Sequence, residues 1–399
     1  MPNPNLDRLT DYPFDRLRTL LDGLQPPQGR APLMLSIGEP KHAPPALIAQ
    51  AVSADPSLWG RYPPIQGTDD LRQAIADWLV MRYGLPKGRL DIGRNILPVA
   101  GSREALFLVA QTVVPRRKHG RAPAVLMPNP FYQVYSGAAV MAGGDPVFLP
   151  ATRDSGYLPD LDAIDRTTLD RTALMYLCSP ANPQGAVADL DYLTRAIGLA
   201  RRHGFVLAVD ECYSEIHDGQ PPAGALQACQ VLDDGSFANV LVFHSLSKRS
   251  SAPGLRSGFV AGDGALVPLF RRLRTYGGAS LPLPLQAASA ALWRDETHVA
   301  ENRALYQAKF DLADRIVGGR FGHARPAGGF FLWLDVGDGE TAARDLWTRG
   351  GLRVLPGAYL ARDDQSGANP GQPYIRVAMV HDLATMEDAL TRLVAILDR

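Results

Sequence analysis

Short runs of apolar residues, each bounded by residues that favour turns, recur through the middle of the chain. The clearest runs are 124–127, 173–178, 205–209, 240–244 and 258–261. A run that is apolar at every position is typical of a strand buried on both faces of a parallel sheet. We therefore interpret these five runs as strands of one buried sheet.

Amphipathic helical patterns lie between these runs. In segment 189–204, apolar residues recur at Leu190, Leu193 and Ile197, and Gly204 follows a basic last turn, which is a helix stop signal. Strand and helix patterns alternate from about residue 95 to residue 265. This predicts an α/β fold with a mainly parallel sheet, and such sheets bind ligands at the carboxyl ends of their strands.

The pattern changes near residue 285. A long helical pattern over about 285–315 precedes GGFFLWLDV, a helical pattern near 341–350, and the strand patterns LRVLPG and YIRVAMV, which together predict a smaller α+β domain. The first 45 residues hold one short strand pattern, LMLSIGEP. We predict an N-terminal segment (1–45) that packs with the small domain or a partner subunit, a large domain (46–284) and a small C-terminal domain (285–399).

Composition narrows the class of partner. The chain has 399 residues, too many for one core, and its 41 Lys+Arg balance its 41 Asp+Glu. Nucleic-acid binding requires clustered positive charge, so we expect a small-molecule partner and no nucleic acid. The charge-free run 275–293 is as long as a membrane span, but its glycines and prolines predict a loop entering a buried helix, and we expect no membrane partner.

Cysteine usage and the N-terminal sequence bear on location and on metals. Cys178, Cys212 and Cys229 cannot all pair, and none has the two-residue spacing of zinc or redox sites. The N-terminal residues lack the basic region and apolar stretch of a signal peptide. We expect a cytoplasmic protein without a metal site.

Lys248 ends the segment Ser245-Leu246-Ser247-Lys248, which directly follows the apolar run VLVFH. A lysine at the end of a buried strand is partly desolvated, which lowers its pKa and makes it a usable nucleophile. The alternative is an ordinary surface lysine in a serine-rich loop. The two serines and Arg256, eight residues further on, are donors for a phosphate, and a lysine beside a phosphate site suggests pyridoxal phosphate (PLP).

Asp210 and Tyr213 follow the apolar run FVLAV. A buried carboxylate is costly unless it is paired, and the protonated ring nitrogen of PLP is a suitable partner. Tyr213 would donate to the ring oxygen. The alternatives for Asp210 are a helix N-cap and a metal ligand, and the absence of His or Cys at ligand spacing weakens the second.

The turn Ala100-Gly101-Ser102-Arg103 follows the strand pattern NILPVA and opens a helical pattern. Free backbone N–H groups and the helix dipole make such a turn an anion site, and glycine lets the backbone approach a phosphate. Many similar turns bind nothing. This turn is neither a P-loop nor a dinucleotide fingerprint, because the required glycines are missing.

Three further residues have two interpretations each. Asn182 and Tyr132 lie in segments whose composition is that of ordinary turns, but Asn182 would donate to the cofactor's ring oxygen and Tyr132 would stack on the ring. Arg376 lies among apolar neighbours in YIRV. It is either part of an ion pair at a strand edge or a bidentate clamp on a carboxylate.

In chain order these residues resemble the PLP-dependent aminotransferases of fold type I, class I/II, over residues 38–376. The residues that carry the resemblance are Ser102, Arg103, Tyr132, Asn182, Asp210, Tyr213, Ser245, Lys248, Arg256 and Arg376. The resemblance implies a seven-stranded, mainly parallel sheet in a large α/β/α domain that binds PLP, plus a smaller α+β domain.

The resemblance also implies a role for each residue. Lys248 would bind the cofactor covalently and move the substrate's α proton, Asp210 would hold the ring-nitrogen proton, and Tyr213 and Asn182 would bind the ring oxygen. The phosphate would be held by the amides of Ser102 and Arg103 and by Ser245, Ser247 and Arg256. Arg376 and the backbone at Gly38 would bind the substrate carboxylate, beside Asn182 and Tyr132. Tyr62 would reach the phosphate in the neighbouring subunit, which implies a homodimer.

Longer strings are similar to the proteobacterial N-succinyldiaminopimelate aminotransferases of lysine biosynthesis. They include LSIGEPKH, PVAGSREALF, MPNPFYQVY and VFHSLSKRS. This similarity implies amino transfer between N-succinyl-LL-2,6-diaminopimelate and 2-oxoglutarate, giving N-succinyl-2-amino-6-oxopimelate and glutamate. The basic candidates for binding the distal carboxylates are Lys41, Arg249 and Arg274.

Two alternatives stay open at this point. The first is a class I/II aminotransferase for another amino acid, such as alanine, aspartate or acetylornithine. The second is a non-enzymatic aminotransferase-like domain of a transcription regulator. We expect an enzyme rather than a regulator, because only about 35 residues precede the first family string and the neutral charge opposes DNA binding.

Overall fold

Two sheets, and the helices that cover them, contain most of the residues that the computed structural model describes, which are 2–232, 237–364 and 366–398. The helices are α1 (Pro13–Leu20), α2 (Leu47–Ser53), α3 (Asp69–Tyr83), α4 (Ser102–Val113), α5 (Gln133–Met141), α6 (Arg166–Arg171), α7 (Leu190–His203), α8 (Ala225–Val231), α9 (Leu246–Arg249), α10 (Leu266–Tyr276), α11 (Leu283–Arg294), α12 (Thr297–Ile316), α13 (Gly339–Gly350) and α14 (Leu383–Leu397). The strands are β1 (Leu33–Met34), β2 (Ile96–Val99), β3 (Ala124–Asn129), β4 (Asp145–Pro150), β5 (Thr172–Cys178), β6 (Val206–Asp210), β7 (Val240–Ser245), β8 (Gly258–Gly262), β9 (Phe331–Asp335), β10 (Leu352–Arg353), β11 (Leu355–Pro356) and β12 (Tyr374–Ala378). Met1 and Arg399, the ends of the predicted outer segments, lie outside the described residues.

The larger sheet has seven strands within the described part of the chain, in the order β2-β8-β7-β6-β5-β3-β4. Strand β8 runs antiparallel to both of its neighbours, β2 and β7, and the other described neighbouring pairs are parallel. Every residue of β3, β5, β6, β7 and β8 is buried, which is why their sequences are apolar at nearly every position. The five predicted strands and the mainly parallel α/β sheet are therefore confirmed.

The parallel strands end together at one edge of this sheet. Cys178, the last residue of β5, lies opposite Asp210, the last residue of β6, and the next strand, β7, continues directly into α9. Gly258 begins β8 beside the end of β7. A Cβ atom there would lie 2.4 Å from the carbonyl oxygen of His244, so the close approach of these two strands requires glycine. This geometry fixes where α9 starts.

Helix α7 illustrates how the covering helices are specified. Its N-cap Asp189 accepts a hydrogen bond from the backbone N–H of Tyr192 (2.8 Å), and Gly204 ends the helix in the left-handed conformation with φ of 61°. The buried face carries Leu193 and Ile197. The helix predicted for this segment is confirmed at both ends.

The helix predicted over about 285–315 is in fact two helices, α11 and α12. Leu292 and Trp293 of α11 pack in the core of the large sheet together with Trp78, whereas Tyr306 and Phe310 of α12 pack in the core of the small domain. The predicted boundary at 284/285 therefore falls inside α11, and we propose a boundary at the break between the two helices. No glycine or proline marks this break, so the sequence pattern missed it.

The small domain contains the antiparallel sheet β11-β12-β9, in which Arg376 lies opposite Trp333. The N-terminal segment packs on this domain of its own chain. Leu33 of β1 pairs with Leu352 of β10, and Leu17 of α1 is buried in a cluster with side chains near β11. Helices α1 and α14 belong to this region and were not predicted from the sequence.

The charge-free run 275–293 forms a loop followed by α11, as its glycines and prolines predicted. Among the described helices, none is both long and apolar enough to cross a membrane.

Candidate active site

A cleft opens at the carboxyl edge of the large sheet, where that edge faces the small domain and the N-terminal segment. Its lining combines polar and charged side chains from all three of these parts of the chain. Of the residues predicted for a site, it is lined by Gly38, Ser102, Arg103, Tyr132, Asn182, Asp210, Tyr213, Lys248 and Arg376. The structure therefore brings together residues that are up to 338 positions apart in the chain, by the numbers of the first and last (376 − 38).

Lys248 projects from α9, three residues beyond the end of β7. Its Nζ donates a hydrogen bond to the carbonyl oxygen of Gly38 and lies 5.1 Å from the ring centroid of Phe330. Burial lowers the pKa of Lys248 to about 8, and the positive charge of Arg376 acts in the same direction. At neutral pH a usable fraction of this amine is therefore uncharged, which is the form that attacks a carbonyl group.

Asp210 ends β6 beside Lys248 and is almost fully buried. Its Oδ2 accepts a hydrogen bond from the hydroxyl of Tyr135 (2.9 Å), and its Oδ1 accepts one from the backbone N–H of Cys212 (3.3 Å). Burial nevertheless raises the pKa of the Asp210 carboxyl. A cation placed against this carboxylate would offset the cost of burying it.

Arg376 enters the cleft from β12. Its Nη1 donates to Oδ1 of Asn182 (3.0 Å) and its Nη2 donates to the carbonyl oxygen of Ser36 (2.6 Å). Its Nε is buried and has no hydrogen-bond partner in the described part of the structure. Burial lowers the pKa of Arg376 to about 10. A buried guanidinium with an unused donor is suited to a carboxylate ligand.

The contact with Arg376 also fixes the orientation of the Asn182 amide. A guanidinium has only donors, so the atom of Asn182 that faces it must be the oxygen. The Nδ2 group of Asn182 is then directed away from Arg376. Asn182 can therefore donate to an oxygen atom in the cleft, and its bond to the cofactor's ring oxygen stays a prediction. Burial raises the pKa of Tyr213 well above its usual value, so its hydroxyl is also a donor.

The predicted phosphate site is the N-terminus of α4 together with the loop after α9. Gly101 precedes α4 with φ of +99°, and a Cβ atom at this position would lie 2.4 Å from Nη2 of Arg256. The glycine thus leaves room for Arg256 beside the first amides of the helix. Ser245 caps α9 by accepting from the backbone N–H of Ser247 (3.1 Å). Arg256 already contacts Glu104 (3.0 Å), a partner that the sequence did not predict.

Arg103 and Tyr132 meet across the mouth of the cleft. Nε of Arg103 donates to the hydroxyl oxygen of Tyr132 (2.9 Å), and both side chains line the cleft. Tyr132 packs edge-on against Tyr135 at 5.7 Å between ring centroids. The ring of Tyr132 is therefore held between Arg103 and Tyr135 in the lining of the cleft.

Several lining residues were not predicted from the sequence. Tyr12 and Phe14, in the N-terminal segment, border the cleft because α1 packs on the small domain. Tyr135 lies three residues beyond Tyr132 and donates to Asp210. The i, i+3 spacing of these two tyrosines at the start of α5 was a usable signal, since residues with this spacing share a helix face.

The three candidates for binding a distal carboxylate do not line the cleft. Arg249 is buried between Trp78 and Trp293 and donates to the carbonyl oxygen of Leu292 (2.7 Å). Arg274 donates to two backbone carbonyl groups, and Lys41 is exposed on the loop that follows Gly38. Arg249 and Arg274 thus donate to buried backbone oxygens of their own chain, and a role for either in binding a distal carboxylate gains no support from this cleft.

Two further predictions concern Tyr62 and metal binding. Tyr62 does not line the cleft of its own chain, and its side chain is fully exposed (101%) on the loop after 56–60. Among the described residues, no cluster of His, Cys, Asp or Glu side chains could hold a metal ion.

The cleft and the helix terminus beside it fit PLP in their donors and charges. The unpaired Nε of Arg376, the carboxylate of Asp210 with its raised pKa, and the guanidinium of Arg256 packed on Gly101 beside the first amides of α4 are suited to a carboxylate, a ring cation and a phosphate. Together with the seven-stranded sheet, these features define a PLP-dependent enzyme of fold type I. The sequence profile described as "Aminotransferase class I and II" matches residues 31–393, and the chain belongs to this family of PLP-dependent aminotransferases.

Individual relatives agree with this assignment. The LL-diaminopimelate aminotransferase of Desulforudis audaxviator (strain MP104C) is 30% identical over 399 residues, covering 98% of this chain and 96% of that protein. The crystal structure of an aminotransferase from Neisseria meningitidis Z2491 has 44% identity and a TM-score of 0.93, and the match covers 99% of this chain and 100% of that chain. A probable N-succinyldiaminopimelate aminotransferase from Thermus thermophilus shares the fold, with 24% identity, a TM-score of 0.82 and coverage of 96% and 99%. The predicted family is confirmed.

The lowered pKa of Lys248 predicts how the stability of the cofactor-free protein depends on pH. Below about pH 8 both the folded and unfolded states bind the proton, and burying the charge destabilises the folded state by up to about 3 kcal/mol. Between pH 8 and 10.5 the folded state releases its proton first, so this cost disappears. We expect Lys248→Met to be more stable than the wild type at pH 7 and to lose this advantage by pH 10.5.

Urea denaturation of the cofactor-free proteins at both pH values measures the free energy of unfolding. Lys87→Met, at an exposed position, is the matched control and should follow the wild type at either pH. A Lys248→Met advantage that stays constant between pH 7 and pH 10.5 would contradict the buried, shifted amine.

Proposed function

We propose that this aminotransferase transfers the amino group between N-succinyl-LL-2,6-diaminopimelate and 2-oxoglutarate in the synthesis of diaminopimelate and lysine. The products in that direction are N-succinyl-2-amino-6-oxopimelate and glutamate. The observation that carries the proposal is the presence of two separate arginines, Arg376 and Arg103, in the lining of one cleft. The longer sequence strings and the name of the D. audaxviator relative support the diaminopimelate pathway.

Lys248 is proposed as the catalytic acid and base. Its amine, with a pKa of about 8, can release a proton near neutral pH and take one up from the substrate's α carbon. When bound, PLP supplies an electron sink for the electron pair left at that carbon. Asp210 would hold the proton on the ring nitrogen, and Tyr213 and Asn182 would donate to the ring oxygen. The hydrogen-bond directions at Asp210 and Asn182 and the raised pKa of Tyr213 support these roles.

Two carboxylate sites explain the choice of substrate class. Arg376 would bind the α-carboxylate through its unused Nε, with the backbone at Gly38 nearby. Arg103 would bind the succinyl carboxylate of one substrate and the distal carboxylate of 2-oxoglutarate, because its side chain lines the mouth of the cleft. Its backbone amide and that of Ser102, with Ser245, Ser247 and Arg256, would hold the phosphate.

A second candidate substrate is free LL-diaminopimelate, since the D. audaxviator relative is named for it. The other amino donors to be compared with it are alanine, aspartate and acetylornithine. We expect turnover with N-succinyl-diaminopimelate to exceed that with each of these donors when glutamate formation from 2-oxoglutarate is followed. Equal rates on all donors would refute the succinyl specificity while leaving the aminotransferase activity intact.

Substitution of Arg103 tests the proposed distal site. Arg103→Met removes the guanidinium but keeps the backbone amide, so we expect KM for N-succinyl-diaminopimelate and for 2-oxoglutarate to rise about 10- to 100-fold, with little change for alanine. Steady-state kinetics with the three substrates measure this. Lys87→Met is the matched control, because Lys87 is exposed and lies outside the cleft. An equal effect on alanine would show that Arg103 acts only by holding Tyr132.

Mixed dimers test the proposed homodimer and the role of Tyr62. Tyr62→Phe should bind PLP about 10- to 100-fold more weakly, since a hydrogen bond to a phosphate is lost, and Lys248→Ala should be inactive. If Tyr62 serves the partner's site, a dimer of one Tyr62→Phe subunit and one Lys248→Ala subunit has one site in which both Tyr62 and Lys248 are intact. Random mixing should then restore about a quarter of wild-type activity at limiting PLP. No recovery would place Tyr62 outside the neighbouring site.

A further inference from the structure

A stripe of polar residues on α12 lies behind Lys248 and outside the lining of the cleft. His298, Asn302, Tyr306 and Lys309 are spaced four, four and three residues apart and so share one face of the helix. Lys309 is 1% exposed and Asn302 is 7% exposed, although both are polar. Buried polar side chains are costly unless each is hydrogen-bonded, so the partners of this face determine what it does.

Asn302 connects this face to the backbone of the segment that carries Lys248. Its Nδ2 donates to the carbonyl oxygens of Lys248 (3.1 Å) and Arg249 (3.3 Å). Carbonyl groups only accept, so this contact fixes the amide orientation and makes Oδ1 the acceptor. Oδ1 accepts from the hydroxyl of Ser251 (3.1 Å) and lies 2.7 Å from Nδ1 of His42. His42 must therefore carry its proton on Nδ1.

Lys309 contacts the other ring nitrogen of His42. Its Nζ lies 2.6 Å from Nε2 of His42. Burial lowers the pKa of His42, and the charge of Lys309 acts in the same direction, so the ring is neutral and its Nε2 is an acceptor. The bonds then have one direction throughout, from Lys309 to His42, from His42 to Asn302, and from Asn302 to the two carbonyl groups. We call these three residues the α12 relay.

The relay also holds the loop that binds the amine of Lys248. His42 is four residues beyond Gly38, whose carbonyl oxygen accepts from Nζ of Lys248. The ring of His42 packs on Tyr306 at 4.6 Å, and Tyr306 stacks on Phe330, which in turn lies 5.1 Å from Nζ of Lys248. Lys248 is thus connected to the relay at both its backbone and its amine.

We propose that His42, Asn302 and Lys309 are positioning residues for Lys248. They fix the distance between the loop at Gly38 and α9, and so hold the amine where it faces the cleft. The inference depends on the proposed role of Lys248 as the reactive amine. A displacement of a reacting group by about 1 Å can lower a rate about 100-fold, so loosening the relay should slow the reaction without removing any group that touches the substrate.

The charge of Lys248 depends on groups outside the relay. The ionisable groups whose charges influence the pKa of Lys248 are Cys212, Arg376, Glu39 and Asp210. For the relay residues, the charge of Asp382 raises the pKa of Lys309, and the charge of Lys309 lowers the pKa of His42. A substitution at Asn302 removes none of these charged groups. A change at Asn302 therefore separates positioning of Lys248 from direct electrostatic effects on it.

Three variants test the separate hydrogen bonds of the relay, namely Asn302→Leu, His42→Asn and His42→Gln. Leucine has nearly the shape of asparagine and removes all of its bonds. Asparagine at position 42 can keep a donor near the place of Nδ1, whereas glutamine can keep an acceptor near the place of Nε2. Gln307→Met is the matched control, because Gln307 lies on the same helix and outside the relay. All are compared as PLP-loaded proteins.

We expect kcat of Asn302→Leu to fall about 10-fold with KM for the amino donor within about two-fold. The pH midpoint of the visible absorption band should shift by about half a unit, because the nitrogen of Lys248 would no longer be held in the same position against the bound cofactor. His42→Asn should retain more activity than His42→Gln, since it keeps the bond to Asn302. Gln307→Met should match the wild type in all three measurements.

The proposal is overturned if the relay variants match Gln307→Met in both kcat and the band midpoint, even if their melting temperatures fall. If Asn302→Leu does not fold, the order of the two His42 variants decides, and equal kcat values for them refute the relay. Retention of the visible band by Lys248→Ala would instead refute the role of Lys248 itself. The two failures are therefore distinguishable.

Discussion

The burial of one amine, that of Lys248, is the physical constraint on which the rest of the site depends. The apolar strand β7 places this lysine at the edge of the large sheet, where burial lowers its pKa to about 8. The carbonyl oxygen of Gly38 and the ring of Phe330 are its neighbours in place of water. An amine in this state is costly to the folded protein and useful as a nucleophile for the same reason.

Two other ionisable groups of the cleft, Asp210 and Arg376, are shifted toward neutrality as well. Burial raises the pKa of Asp210 and lowers that of Arg376. Each is a buried charge whose cost a ligand of opposite charge would offset, namely a ring cation for Asp210 and a carboxylate for Arg376. Thus the equal numbers of acidic and basic residues describe the whole chain but say little about the cleft, where we propose that arginines bind the anionic groups of cofactor and substrate.

The sequence predicted most of this site because its main residues follow runs that are apolar at every position. Lys248 and Asp210 lie at the ends of buried strands, and parallel strands end at one edge of a sheet, so their proximity could be inferred without coordinates. The break between α11 and α12 could not, because no helix breaker marks it. The structural role of Arg249 could not be inferred from the sequence either, because it depends on contacts with Trp78 and Trp293.

The α12 relay was invisible in the sequence for a related reason. His42 lies 260 positions from Asn302, and nothing in the local pattern of either residue indicates a partner. Lys309 likewise has the sequence context of an ordinary helix lysine, and only the fold shows that it is buried. Its pKa is also lowered to about 8, so the structure contains two buried amines of similar acidity, of which only Lys248 lines the cleft.

This pair of lysines permits a direct test of the central claim, which is that Lys248 is the reactive amine. The PLP-loaded protein can be treated with borohydride, digested and examined by mass spectrometry. Our account predicts that the mass of the cofactor is found on the peptide containing Lys248 and not on the peptide containing Lys309. Labelling of Lys309, or of neither lysine, would contradict it.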